Sequence, residues 1–122
     1  EYSMVLRLAE QYLIRSEARA KQGNLIGAIT DLDVIRQRSG LEPIAETAPN
    51  SSEADVLEMV LEERRSELFS EWGHRWFDLR RTNNTAAVLK LKSPNWEATD
   101  ALYPIPDDDR TKNPNLDQNP GY

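Results

Sequence analysis

The sequence ERRSELFSEWGHRWFDLRR, residues 63–81, decides the fold because it concentrates side chains that need partners. It holds two of the three tryptophans, the only histidine and five arginines, with acidic residues among them. Bulky aromatic side chains need burial, and a guanidinium group buried beside them is costly unless a carboxylate pairs with it. A planar guanidinium suits this pairing because it can form two parallel hydrogen bonds to one carboxylate. The stretch therefore predicts helices that pack together through ion pairs.

Six residues of this stretch are the predicted members of a structural ion-pair network. They are Arg64, Arg65, Glu67, Arg75, Asp78 and Arg80. Arg64 and Arg65 each interrupt an apolar stripe of the predicted helix. We therefore expect at least one of them to be buried, with Glu67 or Asp78 as its partner. If Arg65 is buried and paired, its replacement by alanine should cost about 2 to 4 kcal/mol of folding free energy.

The composition narrows the classes of protein to which the chain can belong. Its 122 residues suffice for one domain with a hydrophobic core. The 21 acidic and 15 basic residues give a net charge of -6, which argues against a nucleic-acid-binding surface. No run approaches the roughly 18 apolar residues of a membrane span, and without cysteine there is no disulfide or thiolate chemistry. The sequence opens in a helical pattern without a signal peptide, which favours a fragment of a longer chain.

The first 40 residues predict two antiparallel helices that form a hairpin. The apolar periodicity places the first helix at about residues 3–22, and Gly23-Asn24 ends it. Its predicted apolar face consists of Val5, Leu8, Ala9, Tyr12, Leu13 and Ala20. The second helix is predicted at about residues 25–39, with Ala28, Ile29, Leu32 and Ile35 on its inner side, and Gly40 closes it. The pattern matches the tetratricopeptide repeat, whose characteristic positions are filled by Tyr12, Ser16, Gly23, Ala28 and Leu32.

This repeat is atypical at two positions, because Arg15 and Arg19 stand where the repeat usually has Leu and Tyr. A single repeat also needs neighbours in order to bury its faces. If the chain is a fragment, we therefore expect an exposed apolar patch where upstream helices would pack.

The rest of the chain predicts two more helices and a tail. A loop at residues 42–52 ends in a capping box, Ser52 to Asp55, which starts a third helix that runs to about Trp72. That helix has two neighbouring apolar stripes. Arg65 interrupts the stripe of Leu57, Leu61, Leu68 and Trp72, and Arg64 interrupts the stripe of Val56, Val60 and Leu68. A short fourth helix covers residues 74–81, and one more helical turn falls within residues 85–91.

The tail, residues 92–122, has five prolines and no apolar period, so it is predicted to be extended and to pack across the helices. Its predicted anchors are Trp96, Leu102, Tyr103, Ile105, Leu116 and Tyr122. The predicted fold class is all-α, with tetratricopeptide-like helical hairpins and a long, mostly irregular C-terminal tail packed on the helices.

The residues show no catalytic, metal or cofactor site. His74 has no cysteine partner, and no nucleophile elbow is present. The only dense acidic run, residues 107–109, is typical of a solvated turn or a helix start. Glutamates near the arginines, such as Glu63 and Glu67, should have lowered pKa values, which suits ion pairing better than the acid chemistry of a glycoside hydrolase.

Asn95 and Trp96 are the candidate ligand-binding residues. They lie in a predicted loop, and an aromatic face beside an amide suits a sugar ring. The alternative is that Trp96 anchors the tail in a groove between helices.

Three segments resemble the SusD/RagB family, in the order that the family shows. Residues 7–41 resemble its last tetratricopeptide-like pair. Residues 63–81 resemble its arginine-rich helix and the G-x-R-W-F-D-L-R-R turn that follows. The ending LYPIPDDDRTKNPNLDQNPGY is similar to the family's P-I-P, N-P-N-L and Q-N-P-G-Y pattern, although residues 107–112 are more charged than usual.

The resemblance implies one C-terminal domain over residues 1–122. Within it, residues 1–40 are the tetratricopeptide-like pair, 52–82 the arginine-rich and short helices, and 92–122 the tail. It also implies a non-catalytic surface lipoprotein of the outer membrane of Bacteroidetes, involved in the uptake of starch and other polysaccharides. Such a protein binds an oligosaccharide or another nutrient without a cofactor and works with a SusC-like TonB-dependent transporter. It is attached to the membrane only through an N-terminal lipid that this chain lacks.

A second hypothesis is a free-standing tetratricopeptide-like module that docks protein partners. Further repeats upstream, without a signal peptide, would favour it. An upstream region with a signal peptide and a lipid-bearing cysteine would favour the nutrient-binding lipoprotein.

Overall fold

The computed structural model describes residues 6–122, and all the regular secondary structure in this part of the chain is helical. The α-helices are α1 (Leu8–Lys21), α2 (Leu25–Arg38), α3 (Ile44–Thr47), α4 (Glu53–Glu67), α5 (His74–Arg81), α6 (Thr85–Lys92) and α7 (Asp107–Lys112). A 3-10 helix, Ala98–Ala101, lies between α6 and α7. The all-α prediction is confirmed. The residues group into two compact units, one that ends at Arg75 and one formed by Trp76–Tyr122. The assignment of one domain to residues 1–122 stays a prediction.

The hairpin of α1 and α2 carries most of the core of the first unit. The buried residues of the two helices are Ala9, Leu13, Ser16 and Ala20 on α1 and Ala28, Ile29, Asp31, Leu32, Asp33 and Ile35 on α2. Ser16 is buried between the two helices, and its hydroxyl donates a hydrogen bond to the carbonyl oxygen of Ala28 at 2.8 Å. The predicted inner face of α2 is therefore confirmed, and Ser16 satisfies its own polar group within the core.

The start of α1 differs from the prediction. The helix begins at Leu8, five residues after the predicted start, and Leu8 is 73% exposed although it was expected on the apolar face. Arg7 has an extended backbone, and its side chain pairs with Glu67 and Glu71. The predicted start at Ser3 and the apolar position Val5 lie outside the described residues.

The predicted loop at residues 42–52 contains the short helix α3. The carboxylate of buried Asp33 accepts hydrogen bonds from the backbone N–H groups of Ile44 at 2.6 Å and Ala45 at 3.1 Å. These bonds satisfy two of the free N–H groups at the start of α3. Four residues are too few to show a helical period, so the sequence pattern missed this helix.

Helix α4 starts where the sequence predicts but ends earlier. The capping box of Ser52 and Asp55 is present in full. The helix ends at Glu67 because the chain then turns through positive φ angles at Ser70 and Trp72 and at Gly73. The predicted end near Trp72 is therefore wrong.

Only one of the two apolar stripes predicted for α4 is buried, the stripe of Val56, Val60 and Leu68 that Arg64 interrupts. The residues that α4 buries are Val56, Val60, Glu63 and Arg64, and Leu68 is buried just beyond the helix. Leu57 and Leu61 are only half-buried, and Trp72 is 61% exposed. The stripe that faces α1 and α2 is the one that contains Arg64.

The second unit consists of most of α5, then α6 and the tail. The structure confirms the helix over residues 74–81 and extends the predicted helical turn to Thr85–Lys92. The tail folds back on itself. The Gln118 side chain forms hydrogen bonds with both backbone groups of Ile105, at 2.7 and 3.0 Å, and the Tyr122 hydroxyl donates to the Leu102 carbonyl oxygen at 2.8 Å.

The predicted tail anchors are buried to different extents. Trp96, Ile105 and Leu116 are half-buried. Leu102, Tyr103 and Tyr122 are exposed, so for these three the prediction of burial is wrong. The physical reason is that hydrogen bonds hold this part of the tail. The carbonyl oxygens of Leu102 and Tyr103 accept them from the side chains of Tyr122 and Asn119, so these residues need not be buried.

The capping box gives a direct test of the start of α4. We expect Ser52→Ala to lower the free energy of unfolding by about 1 kcal/mol, because the N–H of Asp55 loses the hydroxyl that caps it. Urea denaturation measures this change. Ser66→Ala, an exposed serine within the same helix, is the control and should change stability by less than about 0.5 kcal/mol. Equal effects of the two substitutions would contradict a capping role.

Candidate functional site

Glu67 joins three segments of the first unit. Its side chain is only 8% exposed, and its two oxygens pair with Arg7 and Arg38, each at 2.5 Å. Arg7 also donates a hydrogen bond to the Glu67 backbone carbonyl at 2.8 Å and pairs with Glu71 at 2.6 Å. The hydrogen bond from Arg38 to Glu67 raises the pKa of Arg38. One carboxylate therefore holds together the segment before α1, the end of α2 and the end of α4.

Arg64 is the buried arginine of α4. Its side chain is 7% exposed, and it lies 3.7 Å from Glu10 on α1. The Nδ1 atom of His74 lies 3.6 Å from the same Glu10 oxygen. The prediction that one of the two arginines is drawn inward is therefore met by Arg64, and its contact with Glu10 joins α4 to α1.

Arg65 is on the solvent side of α4. Its side chain is 48% exposed and pairs with Glu62 at 3.1 Å, one turn away on the same helix. The predicted loss of about 2 to 4 kcal/mol on replacement of Arg65 required that Arg65 be buried. Because its side chain is exposed, that prediction does not apply. Neighbouring residues on a helix point about 100° apart, so only one of two adjacent arginines can face the core.

Asp31 is a buried acidic residue that the sequence pattern missed. Its carboxylate accepts hydrogen bonds from Nε and Nη2 of Arg15, at 2.9 and 2.7 Å. Arg19 donates to the same carboxylate at 2.8 Å and to the Gly27 carbonyl oxygen at 3.1 Å. The signal that pointed to this cluster was the pair of arginines at repeat positions that are usually Leu and Tyr.

The pKa of Glu63 is shifted in the direction opposite to the one expected from the sequence. It lies buried on α4, with one oxygen 3.4 Å from Arg36. Burial raises the pKa of Glu63, and the nearby Arg36 only partly offsets this effect. The expected lowering of the pKa is therefore wrong for this glutamate, because desolvation outweighs a single long ion pair.

An aromatic cluster organises the second unit. The Trp76 ring on α5 packs edge-on against Trp96, with centroids 6.3 Å apart, and against Tyr103, with centroids 5.6 Å apart. The guanidinium carbon of exposed Arg80 lies 5.9 Å from the centre of the Trp76 ring. Tyr103 is 68% exposed, so the cluster reaches the surface.

The remaining members of the predicted ion-pair network lie on α5. Asp78 is buried and accepts a hydrogen bond from Nε of Arg81 at 2.8 Å. Arg75 is half-buried in the first turn, and Arg80 stacks on Trp76. Several of the described contacts of the six predicted residues run to residues outside that set, namely Glu10, Arg7, Arg38, Glu62 and Arg81.

The two candidate ligand-binding residues differ in their surroundings. Asn95 is exposed, whereas Trp96 is half-buried against Trp76. The indole N–H of Trp96 is enclosed, and no acceptor of the described residues lies within hydrogen-bond distance. This packing is typical of an anchor within the second unit. The Asn95 amide and the Tyr103 ring remain exposed. Ligand binding by Asn95 and Trp96 stays a prediction.

Two further properties concern residues 6–122 as a group. No three of their histidine and acidic side chains come close enough together to hold a metal ion. None of their helices has the length and apolar character needed to cross a membrane.

A sequence profile described as the SusD family matches residues 1–122. The chain belongs to the SusD family. The SusD-like protein P38 of Formosa agariphila is 36% identical to this chain in an alignment 91 residues long, which covers 70% of this chain and 18% of that protein. Members of the family are generally non-catalytic proteins that bind nutrients.

Solved structures share the fold of this chain. The chain is similar to BT4246, with a TM-score of 0.79 and 30% identity, over 98% of this chain and 24% of that one. It is also similar to a SusD-like protein (BF3747) of Bacteroides fragilis, with a TM-score of 0.75 and 30% identity, over 96% of this chain and 25% of that one. The chain therefore spans about a quarter of the length of these solved chains and less of the curated relative.

The two adjacent arginines of α4 allow a matched comparison. We expect Arg64→Ala to lower the free energy of unfolding by about 3 kcal/mol or more, because it leaves Glu10 without this partner in a largely buried position. Arg65→Ala should cost less than about 1 kcal/mol, because its ion pair is exposed to solvent. Chemical denaturation of both variants measures the difference. Equal losses would contradict the assigned burial.

The raised pKa of Glu63 predicts how stability depends on pH. The folded protein holds this proton at a higher pH than the unfolded chain does. The resulting stabilisation is complete below the ordinary pKa of a glutamate and is lost as pH rises through the raised pKa. We expect Glu63→Gln to abolish this fall in the free energy of unfolding, which denaturation at a series of pH values measures.

Val60→Ala is the control for this experiment. It removes buried methyl groups without removing a titrating group, so it should lower stability by a similar amount at every pH. If Glu63→Gln leaves the pH dependence of the wild-type protein unchanged, the proposed effect of burial on Glu63 is wrong.

Proposed function

We propose that this chain is the C-terminal portion of a surface lipoprotein that binds an oligosaccharide without catalysis. The proposed protein works with a SusC-like TonB-dependent transporter in the outer membrane of a member of the Bacteroidetes. The observation that carries the proposal is the match to the SusD family over all 122 residues. The lengths of the similar proteins support the proposal that the activity belongs to a longer polypeptide.

The chemistry of the described acidic residues supports binding without catalysis. A general acid needs a raised pKa together with access to a substrate. Glu63 has the raised pKa, but it lies buried beside Arg36. Glu67 and Asp31 are also buried, and each is held by two arginines. These carboxylates serve as links between helices, and the proposed capture of the ligand is non-covalent.

The proposed attachment to the membrane is through a lipid at the N-terminus of the longer polypeptide. None of the helices in residues 6–122 has the length and apolar character needed to span a membrane, so the proposed lipid supplies the attachment. The net charge of -6 disfavours an anionic partner such as nucleic acid.

We place the proposed ligand contact of this portion at Asn95 and Trp96. Asn95 offers an exposed amide, which can both donate and accept hydrogen bonds to sugar hydroxyls. The half-buried Trp96 ring, held by Trp76, gives a fixed apolar surface beside it. The exposed Tyr103 ring packs against the same Trp76 ring.

Glycan-array binding by the full-length protein tests the proposal. We expect binding to an oligosaccharide that Asn95→Ala weakens about 3- to 10-fold, because the ligand loses about one hydrogen bond. Trp96→Ala should weaken it further, because the apolar surface is lost as well. Asn50→Ala is the matched control, since Asn50 is an exposed asparagine in a turn of the first unit.

The substitutions separate two roles of Trp96. If Trp96→Ala weakens binding and lowers stability while Asn95→Ala changes neither, then Trp96 is only an anchor and the ligand site lies elsewhere in the longer protein. If the full-length protein binds no glycan on the array, the assignment of an oligosaccharide ligand is wrong.

A further inference from the structure

Arg80 is an exposed cation of α5 whose contact within the second unit is an aromatic ring. Its guanidinium carbon lies over the Trp76 ring, 5.9 Å from the ring centre. Asp78, the buried carboxylate of the same helix, pairs with Arg81. No carboxylate of residues 6–122 lies within ion-pair distance of Arg80. Its charge is therefore available to an anion from outside this part of the chain.

The contact with Trp76 positions Arg80 and leaves its donors free. A guanidinium that lies over an indole ring is attracted by the ring electrons and can still direct the N–H groups of its edge outward. Two of these groups match the two oxygens of one carboxylate. Trp76 is itself held, because Trp96 packs edge-on against it with ring centroids 6.3 Å apart. Arg80 is therefore better ordered than a long side chain surrounded only by water.

An exposed aromatic ring contacts the same indole. Tyr103 is 68% exposed, and its ring centre lies 5.6 Å from that of Trp76. The Arg80 guanidinium carbon and the Tyr103 ring centre are thus no farther apart than these two distances to Trp76 combined. The Asn119 side chain donates a hydrogen bond to the Tyr103 carbonyl oxygen at 2.7 Å, which holds the backbone there. A short oligosaccharide can therefore reach both the cation and the ring.

The charge around Arg80 is positive although the whole chain is acidic. Residues 76–92 contain one acidic residue, Asp78, and four basic residues, Arg80, Arg81, Lys90 and Lys92. The net charge of -6 acts at long range, where salt screens it over about 8 to 10 Å. A single carboxylate in contact with Arg80 therefore experiences the local positive charge more strongly than the net charge.

We propose that Arg80 and Tyr103 form a binding site for an acidic oligosaccharide. The carboxylate of a uronic acid residue binds the Arg80 guanidinium, and the apolar face of a sugar ring packs on Tyr103. The inference rests on the proposed function, which makes the ligand an oligosaccharide, and adds the charge of that ligand and the residue that recognises it. A carboxylate fits better than a sulfate, because its planar pair of oxygens matches the planar guanidinium.

Binding of matched pairs of oligosaccharides to the full-length protein tests the proposal. Each pair consists of an oligosaccharide of galacturonate, glucuronate or mannuronate and the same compound with its carboxyl groups reduced to alcohols. We expect at least one acidic member to bind about tenfold more tightly than its reduced counterpart, because reduction removes charge-assisted hydrogen bonds. Isothermal titration calorimetry measures both affinities.

Substitution of Arg80 tests whether this residue causes the preference. Arg80→Gln should weaken binding of the acidic member about tenfold and change binding of the reduced member less than about twofold. Lys92→Gln, which removes one exposed positive charge from the same unit, is the matched control and should change neither affinity. Tyr103→Ala should weaken both members of a pair by the same factor, because the apolar contact is common to them.

Thermal denaturation of each variant shows whether it is folded. Arg80→Lys keeps the charge without the planar guanidinium, so it should retain only part of the preference, and it replaces Arg80→Gln in the comparison if that variant does not fold. A preference for the acidic member that survives both substitutions would overturn the proposal. If these substitutions lower only the melting temperature, Arg80 serves to hold Trp76.

The same titrations separate this proposal from the proposed function. Equal affinity for acidic and reduced oligosaccharides overturns only the acidic ligand, as does binding restricted to sulfated oligosaccharides. A full-length protein that binds no oligosaccharide of any charge overturns both proposals.

Discussion

The pairing of buried carboxylates with arginines is the constraint on which the first unit depends. Glu67 binds Arg7 and Arg38, and Asp31 binds Arg15 and Arg19. A carboxylate removed from water is tolerated only when such partners replace its hydration, so each of these acids dictates where two arginines must lie. Because the partners come from different segments, the ion pairs also set how those segments pack. The apolar core fills the space between α1, α2 and α4. The ion pairs determine which segments lie beside one another at its edge.

This arrangement has a consequence for function. A surface that binds nutrients needs a rigid support, and charge-assisted hydrogen bonds supply rigidity because their geometry is restrictive. The same arginines occupy the oxygens of Glu67 and Asp31, and burial leaves these two acids little access to a substrate. Glu63 has a raised pKa but is buried as well. The framework therefore fits the proposed role of the chain in a protein that binds a nutrient without catalysis.

The second unit uses a different principle. Its core is an aromatic cluster around Trp76, and its C-terminal residues are held by hydrogen bonds from Gln118 and Tyr122 to backbone carbonyl oxygens. Gly121 is required in this tail because its φ is +99° and a β-carbon there would lie 2.7 Å from Thr99. Such a tail can be ordered without periodic apolar residues. It leaves Asn95 exposed next to Trp96 in the chain, where the proposed ligand contact lies.

The sequence by itself determined the local elements: the α1–α2 hairpin, the capping box of α4, the helix over residues 74–81 and the family that these motifs identify. Local spacing determines these features, because helical periods and caps depend on residues only a few positions apart. Only the tertiary structure decided that Arg64 and not Arg65 is buried, that Asp31 binds two arginines, and that Asp33 caps α3. These outcomes depend on which side chains meet across distant segments, and burial can reverse the expected direction of a pKa, as it does at Glu63. Spacing along one helix carries no information about the partner that another helix brings.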